Sequence, residues 1–475
     1  MKKNLTVLLF ILQATLVNAQ GYTISLQSNY KAGVAYLTYY MGKDFLLQDS
    51  AAVSNKGLAI FKNKTKLPGG IYVVVLPGKR LTIDFLIDKE QTISIVADTN
   101  NLENASISGS PANVLFKNYQ STVSKKGKQL QMAKKAYETA KTKQDSTKHE
   151  LAYKNISTEL NFYREGIVKN NPTAMMAVLL NALRESPQPT KVAKTRQDSL
   201  DNYNFYKAHY WDGVTFMDDR IIRTPFFLPK LEMYYRQIMP QAADSLIKDL
   251  DYKLLLARNA PEMYKFLLNW YTDEYLNPKY MGQDAVFVHL YQKYHSQKLA
   301  PWLSKTQDSV ITRRAYMLMS NLIGEQAANL SMVDTLGKPA TLYDVKADYT
   351  LVVFWDPNCG HCKEEIPRID SIYRASWQAK NVKIYAVLSE PEKQKQPWLD
   401  FINLKKIGDW LHVYQTTATA EEELKNNRPT YRQLYDVSVT PTIFLLDKEK
   451  RIVAKKLSIE QINDFLITKI NSGKK

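Results

Sequence analysis

The sequence predicts a multidomain protein in which an N-terminal β-sandwich, a central α-helical domain and a C-terminal α/β domain follow one another. With 475 residues the chain is too long for a single hydrophobic core. The hydrophobic period changes from short, turn-bounded strands to helical spacing at about residue 113, and strands and helices alternate near the C-terminus. We therefore expect a β-sandwich over residues 20–112, an α-helical domain over residues 113–322 and an α/β domain over residues 323–475.

Residues 1–19 have the pattern of a signal peptide. Lys2 and Lys3 precede an apolar stretch from Leu5 to Leu16, and Val17-Asn18-Ala19 supplies the small residues that signal peptidase recognises. The apolar stretch is too short to span a bilayer, and no cysteine follows the cleavage site to carry a lipid. We expect cleavage before Gln20 and export to the periplasm or cell envelope of a protein that is not membrane-spanning. A partly buried N-terminal helix is the alternative.

The predicted β-sandwich depends on short strands separated by turn residues. Leu81 to Ile87 alternates apolar and polar side chains, except that Leu86 falls on the polar face with Thr82 and Asp84. Ile71 to Leu76 is a continuous apolar run, which is typical of a strand covered on both faces. Turns are expected at Gly69-Gly70, Pro77-Gly78, Asp88-Lys89 and Asn100-Asn101. No catalytic constellation is visible in this region.

Helical spacing begins at about Asn113, and the expected helices are separated by proline-containing breaks. These breaks are Asn171-Pro172, Pro187 to Pro189, Thr224-Pro225 and Asn277-Pro278. Residues 125–148 carry eight lysines against Glu138 and Asp145, which accounts for part of the net charge of +17. Such a patch would suggest nucleic acid as a partner in the cytosol, but export argues against it. An exposed, solvated helix face is the default, with anionic lipid head groups or acidic glycans as alternatives.

The last part of the chain alternates strands and helices. Tyr349 to Trp355 is an apolar strand, a helix follows from Cys362, and Val382 to Leu388 is a second strand. Thr442 to Leu446 and Arg451 to Lys456 are expected to form a hairpin. A final helix starts at Ser458, whose spacing from Gln461 is that of a capping box.

The two cysteines of the chain, Cys359 and Cys362, lie three positions apart at the predicted start of a helix. A disulfide across so short a loop contributes little to stability, so the pair is expected to be kept for its reactivity. Free N–H groups at a helix N-terminus favour a thiolate, so the pKa of Cys359 should fall below the ~8.5 of a free thiol. Cys359 would then be the nucleophile and Cys362 the resolving thiol, with Gly360 freeing the turn and His361 stabilising the reduced form.

A metal site is not supported by the sequence. A Cys-x-x-Cys pair can be half of a zinc site, but it needs a second pair or histidines at ligand spacing. The histidines of the chain show no such spacing. We expect neither a metal nor a cofactor.

These residues resemble the thioredoxin-like superfamily, in particular exported thiol–disulfide oxidoreductases of the TlpA and ResA type. The matching pieces are Phe354-Trp355, Cys359-Gly360-His361-Cys362, Pro367 and Val439-Thr440-Pro441-Thr442. The resemblance implies a thioredoxin-like fold for residues 323–475, a cis Pro441 beside the disulfide, a Thr440 backbone that pairs with substrate polypeptide, and Trp355 in a supporting role. Pro367 would kink the active-site helix. An ordinary strand-edge proline is the alternative for Pro441.

The rest of the chain also resembles known exported proteins of Bacteroidetes-type bacteria. Residues 21–110 resemble the β-domain that precedes thioredoxin domains in them, through Leu67-Pro68-Gly69-Gly70-Ile71-Tyr72. The helical region resembles an associated domain of unknown function, through segments that include Arg223-Thr224-Pro225 and Tyr280-Met281-Gly282-Gln283-Asp284. For these segments helix ends and packing turns are the default explanation.

One position departs from the family pattern. Thioredoxins carry a buried aspartate two residues before the tryptophan of this strand, and Val353 stands there instead. Proton transfer at Cys362 must then use water or another group. Glu364, Glu365 and Glu390 are candidates, but a surface carboxylate is the default interpretation of each.

We therefore predict an exported protein-disulfide oxidoreductase, reductase or isomerase-like, with the direction of electron flow left open. Its expected partners are protein thiols or disulfides and a membrane or periplasmic electron-transfer protein, and its oligomeric state stays open. A binding or scaffold protein of the cell envelope with an accessory redox centre is the alternative. A peroxidase of the peroxiredoxin type is weaker, because Asp356 to Cys359 lacks the Pro-x-x-x-Thr-x-x-Cys loop.

Overall fold

A computed structural model describes residues 21–472 of the chain. The predicted signal peptide therefore lies outside the described residues. The chain divides into two compact units, Met1–Met239 with Leu255–Tyr264, and Pro240–Leu254 with Lys265–Lys475. Each unit is described separately.

The first unit contains eight strands, followed by helices. The strands are β1 (Tyr22–Ser28), β2 (Val34–Met41), β3 (Asp44–Ala52), β4 (Leu58–Asn63), β5 (Gly70–Val75), β6 (Thr82–Ile87), β7 (Thr92–Asp98) and β8 (Asn101–Ser108). The helices are α1 (Pro111–Glu138), α2 (Lys143–Asn170), α3 (Met175–Ala182), α4 (Arg196–His209) and α5 (Phe227–Met233). Helices α6 (Ala243–Ala257) and α7 (Pro261–Leu276) contribute residues to both units.

The eight strands form two four-stranded sheets that enclose one core, as predicted. The strand orders are β4-β1-β7-β8 and β3-β2-β5-β6. Inward side chains of both sheets, such as Ile24 and Leu37, are fully buried in a shared cluster. Leu86 lies on the face opposite Ile83 and Phe85, as the alternation predicts, although that face is not left to solvent at Leu86. Leu86 is buried because it packs with Phe116 of α1, and its backbone N–H and C=O are paired with the Asn113 side chain.

Helix α1 starts close to the predicted position. Ser110 is its N-cap, and the Ser110 hydroxyl accepts a hydrogen bond from the backbone N–H of Asn113. Most of the lysine-rich part of α1 is exposed, in agreement with the predicted solvated face. Helices α2 and α7 end at Asn170 and Leu276, immediately before the predicted breaks.

The second unit contains the remaining helices and a seven-stranded sheet. Its strands are β9 (Ser331–Asp334), β10 (Pro339–Thr341), β11 (Tyr349–Trp355), β12 (Val382–Leu388), β13 (Leu411–Tyr414), β14 (Thr442–Asp447) and β15 (Ile452–Lys455). Its helices are α8 (Asp284–Leu290), α9 (Lys305–Met319), α10 (Gly360–Ile372), α11 (Pro391–Lys405), α12 (Thr417–Lys425), α13 (Tyr431–Leu434) and α14 (Ile459–Ser472). Helices α8 and α10 each continue into a π-helical turn, at Tyr291–His295 and Tyr373–Trp377.

The sheet of the second unit has the order β10-β9-β13-β12-β11-β14-β15. Strands β11, β12 and β13 are parallel, whereas β14 is antiparallel to β11 and begins the predicted hairpin with β15. Alternate residues of β11 enter two different cores. Val353 packs with α10 and α14, and Phe354 packs on the opposite face with Tyr431 and Tyr435. The central strand is therefore buried on both faces, and its carboxyl end leads directly into α10.

The last helix, α14, has the predicted N-terminal cap. The Ser458 hydroxyl accepts a hydrogen bond from the backbone N–H of Gln461 at 3.3 Å, and the Gln461 side chain accepts one from the Ser458 N–H at 3.0 Å. The capping box predicted from the spacing of these two residues is therefore confirmed.

Candidate functional site

The cysteine pair lies where β11 ends and α10 begins. The Asp356 side chain accepts a hydrogen bond from the backbone N–H of Asn358 at 2.7 Å, and the Asp356 carbonyl accepts one from the N–H of Cys359 at 3.2 Å. This tight turn places Cys359 at the N-cap of α10 with extended backbone angles. Cys362 follows in the first turn of the helix and faces inward, with none of its surface exposed.

Cys359 is half-buried, and its sulfur is 3.3 Å from the carbonyl oxygen of Thr440. Burial is the largest single influence and raises the pKa of the Cys359 thiol. The hydrogen bonds of Cys359 with the Thr440 side chain, with the backbone and side chain of Cys362 and with the backbone N–H of His361 favour the thiolate and together outweigh burial. The pKa of Cys359 therefore lies below that of an ordinary thiol, which is the direction predicted from a helix N-terminus.

Cys362 has the opposite electrostatic character. Burial, with a smaller contribution from the neighbouring Cys359, raises its pKa to about 12, against a lowering hydrogen bond from the backbone N–H of Asp356. Both cysteines are free thiols in this structure. One sulfur is thus accessible and ionises easily, and the other is enclosed and stays protonated until its surroundings change.

The loop before β14 forms the other side of the site. The Thr440–Pro441 peptide bond is cis, as the resemblance implies. The hydroxyl of Thr442 donates to the carbonyl of Val439 at 2.6 Å, while the Val439 side chain is 69% exposed. The backbone of Thr440 therefore faces Cys359. The side chain of the preceding residue, Val439, is open to solvent.

Gly360 and His361 differ from the roles predicted for them. Gly360 has no positive φ, and a Cβ added there would meet no atom within 4 Å, so the turn does not require glycine. The prediction that glycine supplies freedom at this turn is therefore wrong. The interaction of His361 with Cys359 comes from its backbone N–H, and its side chain is exposed.

Pro367 lies inside α10 and supplies no N–H to the helix.

Trp355 and Val353 lie beneath the site and are completely buried. The Trp355 ring packs 5.3 Å from Phe401 and 6.3 Å from His412, measured between ring centroids. Val353 pairs in register with Ala386, which pairs with His412. His412 therefore lies in the same cross-strand row as Val353, two strands away. It is buried, and the sequence pattern did not mark it.

The three carboxylates considered for proton transfer are not enclosed with Cys362. Glu364 and Glu390 are exposed, and Glu365 forms an ion pair with Arg368 at 2.6 Å. The geometry therefore favours their description as surface carboxylates.

Three residues outside the predicted site, a buried aspartate and its two basic partners, hold the loop that carries Thr440. Asp436 is 3% exposed, and its carboxylate is paired with Arg314 of α9 at 2.6 Å and with Lys456. These ion pairs lower the pKa of Asp436 against the raising effect of burial, which is the largest influence. Sequence reasoning missed Asp436 because no local pattern marks a charged partner 122 positions away.

Within residues 21–472, no set of three or more His, Cys, Asp or Glu side chains is arranged to bind a metal ion. No helix of that same part combines the length and the apolar character needed to traverse a bilayer.

Two parts of the chain match known families. Residues 323–455 match the AhpC/TSA family, and residues 22–116 match a domain of unknown function, DUF4369. The thiol-disulfide oxidoreductase ResA of Bacillus cereus is 26% identical over 147 residues, which cover 30% of this chain and 76% of that protein. ResA of Bacillus subtilis is 28% identical over 130 residues, which cover 27% of this chain and 64% of that protein.

Solved structures also match parts of the chain. A domain of a possible thiol-disulfide isomerase from Cytophaga hutchinsonii is 38% identical, with a TM-score of 0.28, and the match covers 32% of this chain and 96% of that one. A thioredoxin-like protein from Bacteroides caccae is 20% identical, with a TM-score of 0.46, and the match covers 60% of this chain and 99% of that one.

Proposed function

Because the C-terminal domain is a thioredoxin-like domain of the AhpC/TSA family, we propose that this chain catalyses thiol–disulfide exchange with protein substrates through Cys359 and Cys362. The observation that carries the proposal is the contrast between the two sulfurs. Cys359 is accessible with a lowered pKa, and Cys362 is buried with a pKa raised to about 12. That contrast separates an attacking thiolate from a resolving thiol.

In the reducing direction the exchange has two steps. The Cys359 thiolate attacks one sulfur of a substrate disulfide, forms a mixed disulfide, and releases the other substrate sulfur as a thiolate, which takes up a proton. Cys362 then loses its proton and attacks the sulfur of Cys359, which releases the second substrate thiol. Two electrons pass from the dithiol to the substrate, and a Cys359–Cys362 disulfide remains.

The cis-proline loop supports a protein as the substrate. The backbone of Thr440 lies beside the Cys359 sulfur, where an extended polypeptide can pair with it by main-chain hydrogen bonds. The Trp355 side chain, below this surface, and the Pro441 ring, beside it, would maintain its shape.

A reductase role requires that the oxidised pair be reduced again after each turnover, and an isomerase role requires that the pair be kept reduced. We assign this to a membrane or periplasmic electron-transfer protein, because the chain itself holds no further cysteine. The relatives named thiol-disulfide oxidoreductase support this class of activity.

Substituting the attacking sulfur tests the proposal. The reduced wild-type protein should reduce a small model disulfide, and Cys359→Ser should reduce that rate to the uncatalysed rate. Cys362→Ser should instead accumulate a mixed disulfide on Cys359, visible as a mass increase by intact-protein mass spectrometry. Wild-type activity in the Cys359→Ser variant would refute the assignment.

Export is a separate proposal, supported by the apolar stretch from Leu5 to Leu16 and the Val17-Asn18-Ala19 motif. The mature protein isolated from cells should begin at Gln20. N-terminal sequencing of a full-length, uncleaved protein from the cytosol would refute it.

A further inference from the structure

Two surface cavities of the second unit adjoin each other, and one of them is lined by Pro441 of the cis peptide bond. They share Asp436, Ser438 and Lys456. The cis-proline groove has a volume of about 440 Å³ and is lined by Val439, Pro441, Thr442 and the start of α14, among others. The Tyr280 pocket has a volume of about 420 Å³ and is lined by residues 277–282, between α7 and α8, together with α9 residues and Lys455.

The wall of the Tyr280 pocket is fixed by a buried ion pair. Asp284, the first residue of α8, pairs with Lys455 of β15, and both side chains are at most 5% exposed. The Lys455 ammonium also donates to the backbone and side-chain oxygens of Asn321, each at 2.6 Å. Breaking such a pair is costly because it leaves a buried charge, so the segment before Asp284 is held in place beside Lys456.

Apolar side chains are exposed at both cavities. Val439 is 69% exposed at the cis-proline groove, and Tyr280 and Met281 are 54% and 37% exposed at the Tyr280 pocket. Exposed apolar groups beside a groove are typical of surfaces that bind another polypeptide. The two cavities share lining residues and therefore form one surface, which exposes apolar side chains in both of its parts.

The Tyr280 pocket is basic. Its lining includes four basic side chains, namely Lys279, Arg314, Lys455 and Lys456, against the carboxylates of Asp284 and Asp436. Both carboxylates are already paired, Asp284 with Lys455 and Asp436 with Arg314 and Lys456. The uncompensated positive charge favours an acidic side chain on whatever lies there.

We propose that the Tyr280 pocket extends the cis-proline groove and binds the stretch of client polypeptide that flanks the cysteine attacked by Cys359. The pocket would select clients with apolar and acidic residues in that stretch. This inference depends on the proposed thiol–disulfide exchange and assigns its substrate class. It also gives a function to the Tyr280-Met281-Gly282 segment, which the redox mechanism does not use.

The test compares a peptide disulfide with a small one on the full-length chain. The peptide probe carries a disulfide-bonded cysteine flanked by leucine and glutamate residues, and glutathione disulfide is the small probe. The readout is the ratio of kcat/KM for the peptide to kcat/KM for glutathione disulfide. For Tyr280→Ala/Met281→Ala and for Lys279→Glu we expect this ratio to fall about five- to tenfold.

Matched controls lie elsewhere on the second unit. Tyr252→Ala/Leu404→Ala removes two exposed apolar side chains, and Lys425→Glu reverses an exposed charge of α12. Both should leave the ratio unchanged. Replacing glutamate by lysine in the peptide should lower the wild-type ratio, and Lys279→Glu should reverse that preference.

The two proposals fail in different ways. Failure of the wild-type protein to reduce glutathione disulfide would overturn the proposed exchange itself. Reduction of glutathione disulfide with an unchanged ratio in the pocket variants, or an equal fall in the controls, would overturn the pocket alone. A wild-type dimer that the pocket variants convert to monomers would also overturn it, because a second copy would then occupy this surface.

Discussion

Replacing His412 by phenylalanine tests how the core beneath the cysteine pair responds to pH. His412 is 3% exposed and stacks on Trp410 with ring centroids 5.7 Å apart. Its Nε2 is 2.8 Å from the carbonyl oxygen of Ile407, and its Nδ1 has no hydrogen-bond partner in the described part of the chain. Burial lowers the pKa of His412 to about 4, against smaller raising effects of Ile407 and Asp409.

The sign and size of the effect follow from linkage. An unfolded histidine takes up a proton below about pH 6.5, whereas folded His412 stays neutral down to a pKa of about 4. Between these values the unfolded state binds more protons, so the free energy of unfolding falls as the pH falls. The pKa difference corresponds to a loss of about 3 kcal/mol that is complete below about pH 4.

The assay is urea unfolding of the wild-type protein and His412→Phe at a series of pH values from 7.5 to about 4. At pH 7.5 the variant should be less stable by roughly 1 kcal/mol, because the hydrogen bond to Ile407 is lost. As the pH falls, the wild-type protein should lose its advantage and become the less stable of the two by about 2 kcal/mol, from the two preceding estimates. Other groups titrate in both proteins and cancel in the comparison.

Parallel pH profiles for the two proteins would refute this reasoning. They would mean that His412 is as easily protonated in the folded state as in the unfolded one, and therefore that its surroundings are open to water.

The remaining predictions concern the thiols and the buried ion pair. Titration of thiolate absorbance in Cys362→Ser should give Cys359 a midpoint below that of a free thiol, and a midpoint at or above ~8.5 would contradict the assigned site. Asp284→Ala should destabilise the protein by about 3–5 kcal/mol in thermal or urea unfolding, because Lys455 is left buried with only the neutral Asn321 oxygens. Asp284→Ala/Lys455→Met should be less destabilised than Asp284→Ala, and an equal or larger loss in the double variant would show that the charge is not the cause.

Several parts of this protein could be predicted from local patterns of the sequence. Strand β5 lies on a continuous apolar run, β11 is apolar apart from Thr350, and both strands are buried on their two faces. The cap of α14 follows from a four-residue pattern, and α2 ends immediately before a proline-containing break. These features depend on neighbours in the chain, so the sequence alone contains the relevant information.

The burial of Leu86 shows where local patterns fail. Its strand alternates as if one face met solvent, but the side chain of Asn113 and the ring of Phe116 cover that face. An alternating pattern shows which side chains of a strand are polar. It does not show which distant helix packs on either face of that strand. The prediction for Gly360 fails for a related reason. Its backbone has no positive φ, so residues other than glycine can adopt the same conformation.

The sequence by itself determined the cysteine pair, its position at a helix start and the likeness to thioredoxin-like proteins. Only the tertiary structure brought the Thr440 carbonyl to 3.3 Å from the Cys359 sulfur and raised the pKa of the enclosed Cys362 to about 12. It alone paired Asp284 with Lys455, which are 171 positions apart. The physical reason is that a pKa and a buried ion pair depend on which groups enclose a side chain, and those groups come from segments that meet only when the chain has folded.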